Sequence, residues 1–215
     1  MLNKKYLAEF IGTFALVFCG TGAIIIDEQT HGAVTHVGVA ITFGLIVLAM
    51  IYTFGEISGA HLNPAVTIAF TVARRFDAKQ IFPYIMSQVA GAFMATGTLR
   101  YLFPENINLG STLPAGPPMQ SFVLEFILTY FLMLVILQVS QGSRETGLVA
   151  GMAIGATVLL EAMFAGPICG ASMNPARSLA PGIVSGNIQM LWIYLAAPVA
   201  GAVAASLMWK IWKRE

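Results

Sequence analysis

"GEISGAHLNPAVT" (Gly55–Thr67) and "GPICGASMNPARS" (Gly166–Ser178) carry one pattern twice, G-x-I-x-G-A-x-x-N-P-A, in a chain otherwise built of apolar runs. Asn before Pro at the head of an apolar stretch is a helix-start signal. The Asn side chain caps free backbone N–H groups, and Pro at the first helical position lacks only an N–H that has no partner anyway. After Asn63 the chain reads "PAVTIAFTVA" before Arg74, and after Asn174 it reads "PARSLAPGIV". Each is about ten residues, roughly 15 Å of helix, which is half of a ~30 Å hydrocarbon core. Neither can span. Both predict re-entrant half-helices, which membrane depth tolerates only where they line a cavity or pack against protein.

The composition supports that solvent. Of 215 residues, 57% are hydrophobic and 10% charged, with mean hydropathy +0.79, against roughly 25% charged in soluble domains. A net charge of +1 offers no electrostatic footprint for nucleic acid. Cys19 and Cys169 are too few for a disulfide framework and show no metal-ligand spacing. His31, His36 and His61 are scattered, with no HExxH, P-loop or dinucleotide fingerprint, so no catalytic residue, cofactor or metal is expected. Six stretches approach the roughly 20 apolar residues that a spanning helix needs: Tyr6–Ile26, His36–Phe54, Ile81–Phe103, Ser121–Val139, Gly147–Phe164 and Gln189–Ile211. The first, although preceded by Lys4 and Lys5, is too long for a secretory signal and contains Glu9, and is read as a retained helix.

The repeat extends beyond the two phrases. "EFIGTF" (Glu9–Phe14) opens the first span and "EFILTY" (Glu125–Tyr130) the fourth; "VAGA" recurs at Val89–Ala92 and Val199–Ala202. The chain reads as one channel domain, residues 1–215, with a first repeat over 1–103, a Pro- and Gly-rich linker over 104–118 and a second repeat over 119–215. Three spans per copy force the second copy to enter from the opposite side. The expected fold is therefore an all-α membrane protein with six transmembrane helices and two half-helices in an inverted 3+3 repeat, its functional site at the midplane. Spacings such as Gly151-x-x-x-Gly155 and Gly201-x-x-x-Ala205 read as packing devices. Lys4, Lys5, Arg74, Arg75, Lys79, Arg144, Lys210, Lys213 and Arg214 fall on one side of this topology, which predicts that both termini are cytoplasmic. The short termini point to a microbial inner (plasma) membrane.

With the inversion applied, the half-helix N-termini meet at the centre, each carrying roughly half a positive charge. Asn63 and Asn174 then offer amide donors to water or a hydroxylated solute, while cations are repelled. An ion-coupled secondary transporter also uses inverted repeats and broken helices, but it needs ionisable groups at a midplane that is neutral here. The signatures "SGAHLNPAVT" and "GASMNPARS", with the Glu-containing starts of spans one and four, resemble the major intrinsic protein family, the aquaporins and aquaglyceroporins. That resemblance implies one pore per protomer and a homotetramer in the lipid bilayer. It assigns the pore motifs to Asn63, Pro64 and Ala65 and to Asn174, Pro175 and Ala176, and gives Glu9 and Glu125 the bracing of the two loops.

The same resemblance places an outer selectivity filter at Phe43, Ala162, Ala171 and Arg177. Arg177, opposite Val66 in the first copy, is a fixed positive charge inside an apolar fold, costly unless it faces a cavity or a partner. Water-selective members typically have His where Ala162 stands, and glycerol channels Trp where Phe43 stands. One aromatic, two alanines and an arginine imply a wider, less polar constriction than a water-only filter. "AGPICGASMNPARSLAP" is similar to the nodulin-like intrinsic proteins and their bacterial relatives, which pass glycerol and neutral metalloid hydroxides. The expected cargo is water with small uncharged polyols, or boric or arsenous acid; a strictly water-selective pore is the alternative. Glu161, beside Ala162, is expected to brace the outer loop, with an effect on selectivity as the alternative, and His61 to be a loop hydrogen-bond donor. Glu56 replaces a histidine that many relatives carry, which puts pH gating in doubt, and Cys169 is displaced from the usual mercury-sensitive position.

Overall fold

A computed structural model describes residues 3–141 and 149–213. Arg144, Gly147 and Arg214, which entered the expected orientation and fifth span, lie outside the described residues. The described chain is helical, with helices α1 (Lys4–Gln29), α2 (Thr35–Ser58), α3 (Pro64–Val72), α4 (Ile81–Leu102), α5 (Pro118–Val139), α6 (Ala150–Cys169), α7 (Pro175–Ser185) and α8 (Leu191–Trp212), and a 3-10 turn (Ala78–Gln80) before α4. Five of these, α1, α2, α5, α6 and α8, are long and apolar enough to cross a membrane, with mean hydropathy of 1.7 to 2.3. The sixth long helix, α4, has 22 residues but is diluted by Ser87, Gln88, Thr96, Thr98 and Arg100.

The ends of the helices follow from local chemistry. Asn3 caps α1 by accepting from the Lys5 N–H at 3.1 Å. Asp27 Oδ1 accepts from the Val34 and Thr35 N–H groups at 3.1 and 2.6 Å and ties the α1–α2 loop. Helices α2 and α6 run further than expected, to Ser58 and Cys169 rather than Phe54 and Phe164. What stops them is Gly59 (φ 87°) and Gly170 (φ 83°), left-handed caps that a Cβ would disfavour. Pro167 does not end α6, because the carbonyl it leaves without a helical donor, Met163 O, accepts from His36 Nε2 at 2.9 Å.

Glycines set the helix crossings, and they repeat between the halves. A Cβ at Gly91 would lie 2.3 Å from Phe10 O, and one at Gly201 2.2 Å from Phe126 O, so α1–α4 and α5–α8 are equivalent backbone contacts. Across the halves, a Cβ at Gly44 would meet Gly155 O at 2.7 Å, and one at Gly155 would meet Gly44 O at 2.7 Å. The α2–α6 crossing is thus symmetric about the pseudo-two-fold axis. The half-helices interlock with the opposite copy: Ser206 Oγ on α8 donates to Ala69 O on α3 at 2.9 Å, and Arg100 Nη2 on α4 donates to Val184 O on α7 at 3.4 Å.

The two half-helices end on opposite faces. After α3, Arg75 Nη1 reaches Ser140 Oγ at 2.9 Å, and its guanidinium lies 5.8 Å from the Trp209 ring near the end of α8. After α7, Asn187 Nδ2 reaches Ser111 Oγ in the linker at 2.9 Å, a face shared with the end of α4. The first face also holds the start of α1, since Tyr6 Oη donates to Gln80 Oε1 at 2.7 Å.

Gly155→Ala puts a methyl against a backbone carbonyl and should cost at least about 1–3 kcal/mol. Gly97→Ala, where nothing lies within 4 Å of the added Cβ, should be neutral. Thermal unfolding of the two variants in detergent checks this, and equal melting temperatures would refute the crossing argument.

Candidate functional site: a cavity between paired asparagines

The loops that lead into α3 and α7 are strained in the same way. Ala60 and Leu62 (φ 46° and 51°) match Ala171 and Met173 (φ 39° and 52°), all left-handed at about 1–3 kcal/mol each. Buried carboxylates hold them there. Glu9 Oε1 accepts from Ser58 Oγ at 2.7 Å and the His61 N–H at 2.9 Å; its Oε2 accepts from the Leu62 N–H at 2.7 Å and Gln88 Nε2 at 2.8 Å. Glu125 accepts from the Ser172 and Met173 N–H groups at 2.7 and 2.8 Å. With two consecutive N–H groups of each loop held by its glutamate, Ala60, His61, Ala171 and Ser172 line the cavity.

At the tips, the two loops exchange bonds. Asn63 Nδ2 donates to Met173 O at 2.7 Å, and Asn174 Nδ2 donates to Leu62 O at 2.8 Å. Each Oδ1 caps its own half-helix, Asn63 accepting from the Ala65 N–H at 2.8 Å and Asn174 from the Ala176 N–H at 3.0 Å. An amide nitrogen carries two protons, so each asparagine retains one donor for the cavity it lines. Pro64, Ala65, Pro175 and Ala176 are buried behind them as the first turns. The cavity itself, about 940 Å³, runs from Glu56 and Ser140 at the face shared with the start of α1, past both asparagines, to Phe43 and Arg177.

Arg177 is 2% exposed. Its Nη1 donates to Gly110 O at 2.8 Å and its guanidinium carbon lies 5.1 Å from the Phe43 ring centroid, a cation–π distance. Ala171 shares this end of the cavity. Ala162 does not line it: the α6 wall stops at Val158, one helical turn away, and Ala162 is buried just past the end. The structure therefore brings together three of the four expected filter residues.

A family model, Major intrinsic protein, matches residues 1–209. The chain belongs to the major intrinsic protein family. It is 49% identical over 209 residues to Aquaporin NIP1-1 of Oryza sativa subsp. japonica, covering 97% of this chain and 74% of that one. To Nodulin-26 of Glycine max it is 46% identical over 209 residues, covering 97% and 77%. Among solved structures, the aquaglyceroporin from Plasmodium falciparum superposes with a TM-score of 0.87 at 28% identity, over 96% of this chain and 94% of that one. The expected major intrinsic protein fold, six spanning helices with two half-helices, is the fold observed, and the molecule is a membrane channel for water and small neutral solutes.

The structure also places the remaining positions. Residues 104–118 are more than a linker: besides the Gly110 carbonyl, Thr112 Oγ1 donates to Ser178 Oγ at 2.8 Å and the Ala115 N–H to Ile168 O at 2.9 Å. Pro118 already belongs to α5. Among the described residues Glu161 makes no hydrogen bond to the outer loop and its buried Oε2 has no partner, so the expected bracing is not seen. His61 stacks on Phe70 at 4.7 Å with Nδ1 3.1 Å from Thr67 Oγ1. Cys169 is fully buried beside Ala165 O and does not line the cavity. Gln88, which joins Glu9 to Thr67 Oγ1, was missed, although a glutamine amid an apolar span next to a repeated "VAGA" was a usable signal.

Glu125→Gln presents an NH2 to one of two loop N–H groups and should cost about 1–3 kcal/mol for the stranded donor. Glu161→Gln breaks no loop bond and should not destabilise. Melting temperatures in detergent decide, and an equal drop in both would show that Glu161 does support the loop.

Proposed function

We propose that this channel passes water together with small uncharged polyols, or boric or arsenous acid, and excludes ions and protons. The observation that carries the reading is the exchanged pair of asparagine bonds. It leaves one amide donor from each half-helix beside a cavity whose centre bears no formal charge. The two helix N-termini make that centre electropositive, and Arg177 adds a fixed cation at the outer end, so a cation or hydronium meets repulsion twice. Neutral hydroxylated molecules find the asparagine amide donors there. Phe43, Ala171 and Arg177 at the outer end are assigned as the filter together with Ala162 one helical turn past the cavity's end, the small side chains at 162 and 171 leaving room for a three-carbon polyol. The names of Aquaporin NIP1-1 and of the aquaglyceroporin from Plasmodium falciparum are in keeping with this range.

The wider setting follows from the same features. Lys5, Arg75, Lys79 and Lys213 gather on one face, which by the positive-inside rule is cytoplasmic, with both termini there and the chain in a plasma or inner membrane. Exposed apolar side chains such as Leu45, Phe131 and Leu160 suit lipid and sister protomers in a homotetramer. The function is passive permeation, not catalysis.

Stopped-flow swelling of proteoliposomes should show rapid water flux and rapid glycerol uptake. Ala162→His, which narrows the filter and adds a polar ring, should lower glycerol flux at least about tenfold while water flux persists. Water flux without glycerol or metalloid uptake in the unaltered channel would reject the wide-filter reading.

A further inference from the structure

Phe43 and Arg177 are the two walls at the outer end of the cavity, and what stands behind each wall decides its width. One edge of the Phe43 ring lies in a recess on α1. A Cβ at Gly20 would fall 2.1 Å from Cε1, 2.4 Å from Cζ and 2.5 Å from Cδ1 of that ring, with no other atom closer. Arg177 sits over the ring and the cavity adjoins it. The next residue, Thr21, backs the other wall: a Cβ at Gly110 would lie 2.9 Å from Thr21 Cβ, and the Gly110 carbonyl holds Arg177. Neither Gly20 nor Thr21 lines the cavity.

We propose that Gly20 is a positioning residue for solute size, its missing side chain forming the recess that keeps the Phe43 ring out of the lumen. The proposal rests on Phe43 and Arg177 acting as the filter. A methyl at position 20 must move the ring by more than about 1 Å to restore contact at ~3.5 Å. The ring is backed by α1 on one edge and covered by Arg177, so it yields towards the cavity. The wall then advances without any change in the residues that touch the solute.

The test compares the unaltered channel, Gly20→Ala, Phe43→Leu and the double variant in proteoliposomes, with water, urea and glycerol fluxes read by stopped-flow scattering. Gly20→Ala should lower the flux of the largest solute passed, relative to water, at least about tenfold. In the Phe43→Leu background, where no ring remains to be displaced, adding Gly20→Ala should leave that ratio within about twofold. An unchanged ratio in Gly20→Ala, or an equal fall in the Phe43→Leu background, overturns the proposal. If Gly20→Ala does not fold, the double variant against Phe43→Leu decides by the same criterion. A channel closed to glycerol would reject the solute range proposed above and leave Gly20 to be read on urea, or on absolute water flux if water alone passes.

Discussion

The exchanged hydrogen bonds between Asn63 and Met173 O and between Asn174 and Leu62 O are the constraint on which the rest of the molecule depends. A helix that stops at the middle of a bilayer leaves backbone groups that lipid cannot satisfy. Here each half-helix is capped by its own asparagine and tied by the same side chain to the other loop. The six long helices are arranged so that these two tips can meet. Gly44 and Gly155 allow α2 and α6 to touch at backbone distance, and Gly91 and Gly201 draw the remaining pairs inward.

The two halves share geometry but differ in chemistry. In the first, Glu9 has four donors, and Tyr84 Oη donates to Ser58 O at 2.8 Å. In the second, Cys169 and Pro198 stand where Ser58 and Gln88 stand in the first, Glu125 accepts from the two loop N–H groups, and the Tyr194 hydroxyl has no partner among the described residues. Support for the second loop comes instead from the connecting segment, through Thr112 on Ser178 and Gly110 on Arg177. The half that carries Arg177 is thus held by a piece of chain outside the repeat.

Much of this was legible in the sequence because it depends on pattern. Two Asn-Pro-Ala phrases after apolar runs, and a glutamate at the start of equivalent spans, specified the half-helices, their inversion and the bracing of the loops. What was not legible depends on groups that leave no mark in the letters. The Gly110 bond to Arg177 is made by a main-chain carbonyl in a segment whose composition reads only as a turn. Pro167 looks like a helix stop and is not one, because a histidine distant in sequence serves the carbonyl it frees. Gly20 is one of 21 glycines, and its meaning lies entirely in a ring on the neighbouring helix. The place of Glu161 beside Ala162 suggests a role in the outer loop, yet among the described residues its carboxylate makes no bond to that loop.

The contact between Gly44 and Gly155 has a mechanical consequence. Where two backbones abut at the symmetry axis, and the tips of both halves are cross-tied a short distance away, one copy has no room to slide or tilt on the other. Machines that carry cargo by exposing a site first to one compartment and then to the other require such a displacement. The Gly44–Gly155 contact opposes that displacement, so the two copies form one fixed frame around the cavity. A channel framed in this way moves its solutes down their gradient without a carrier's cycle.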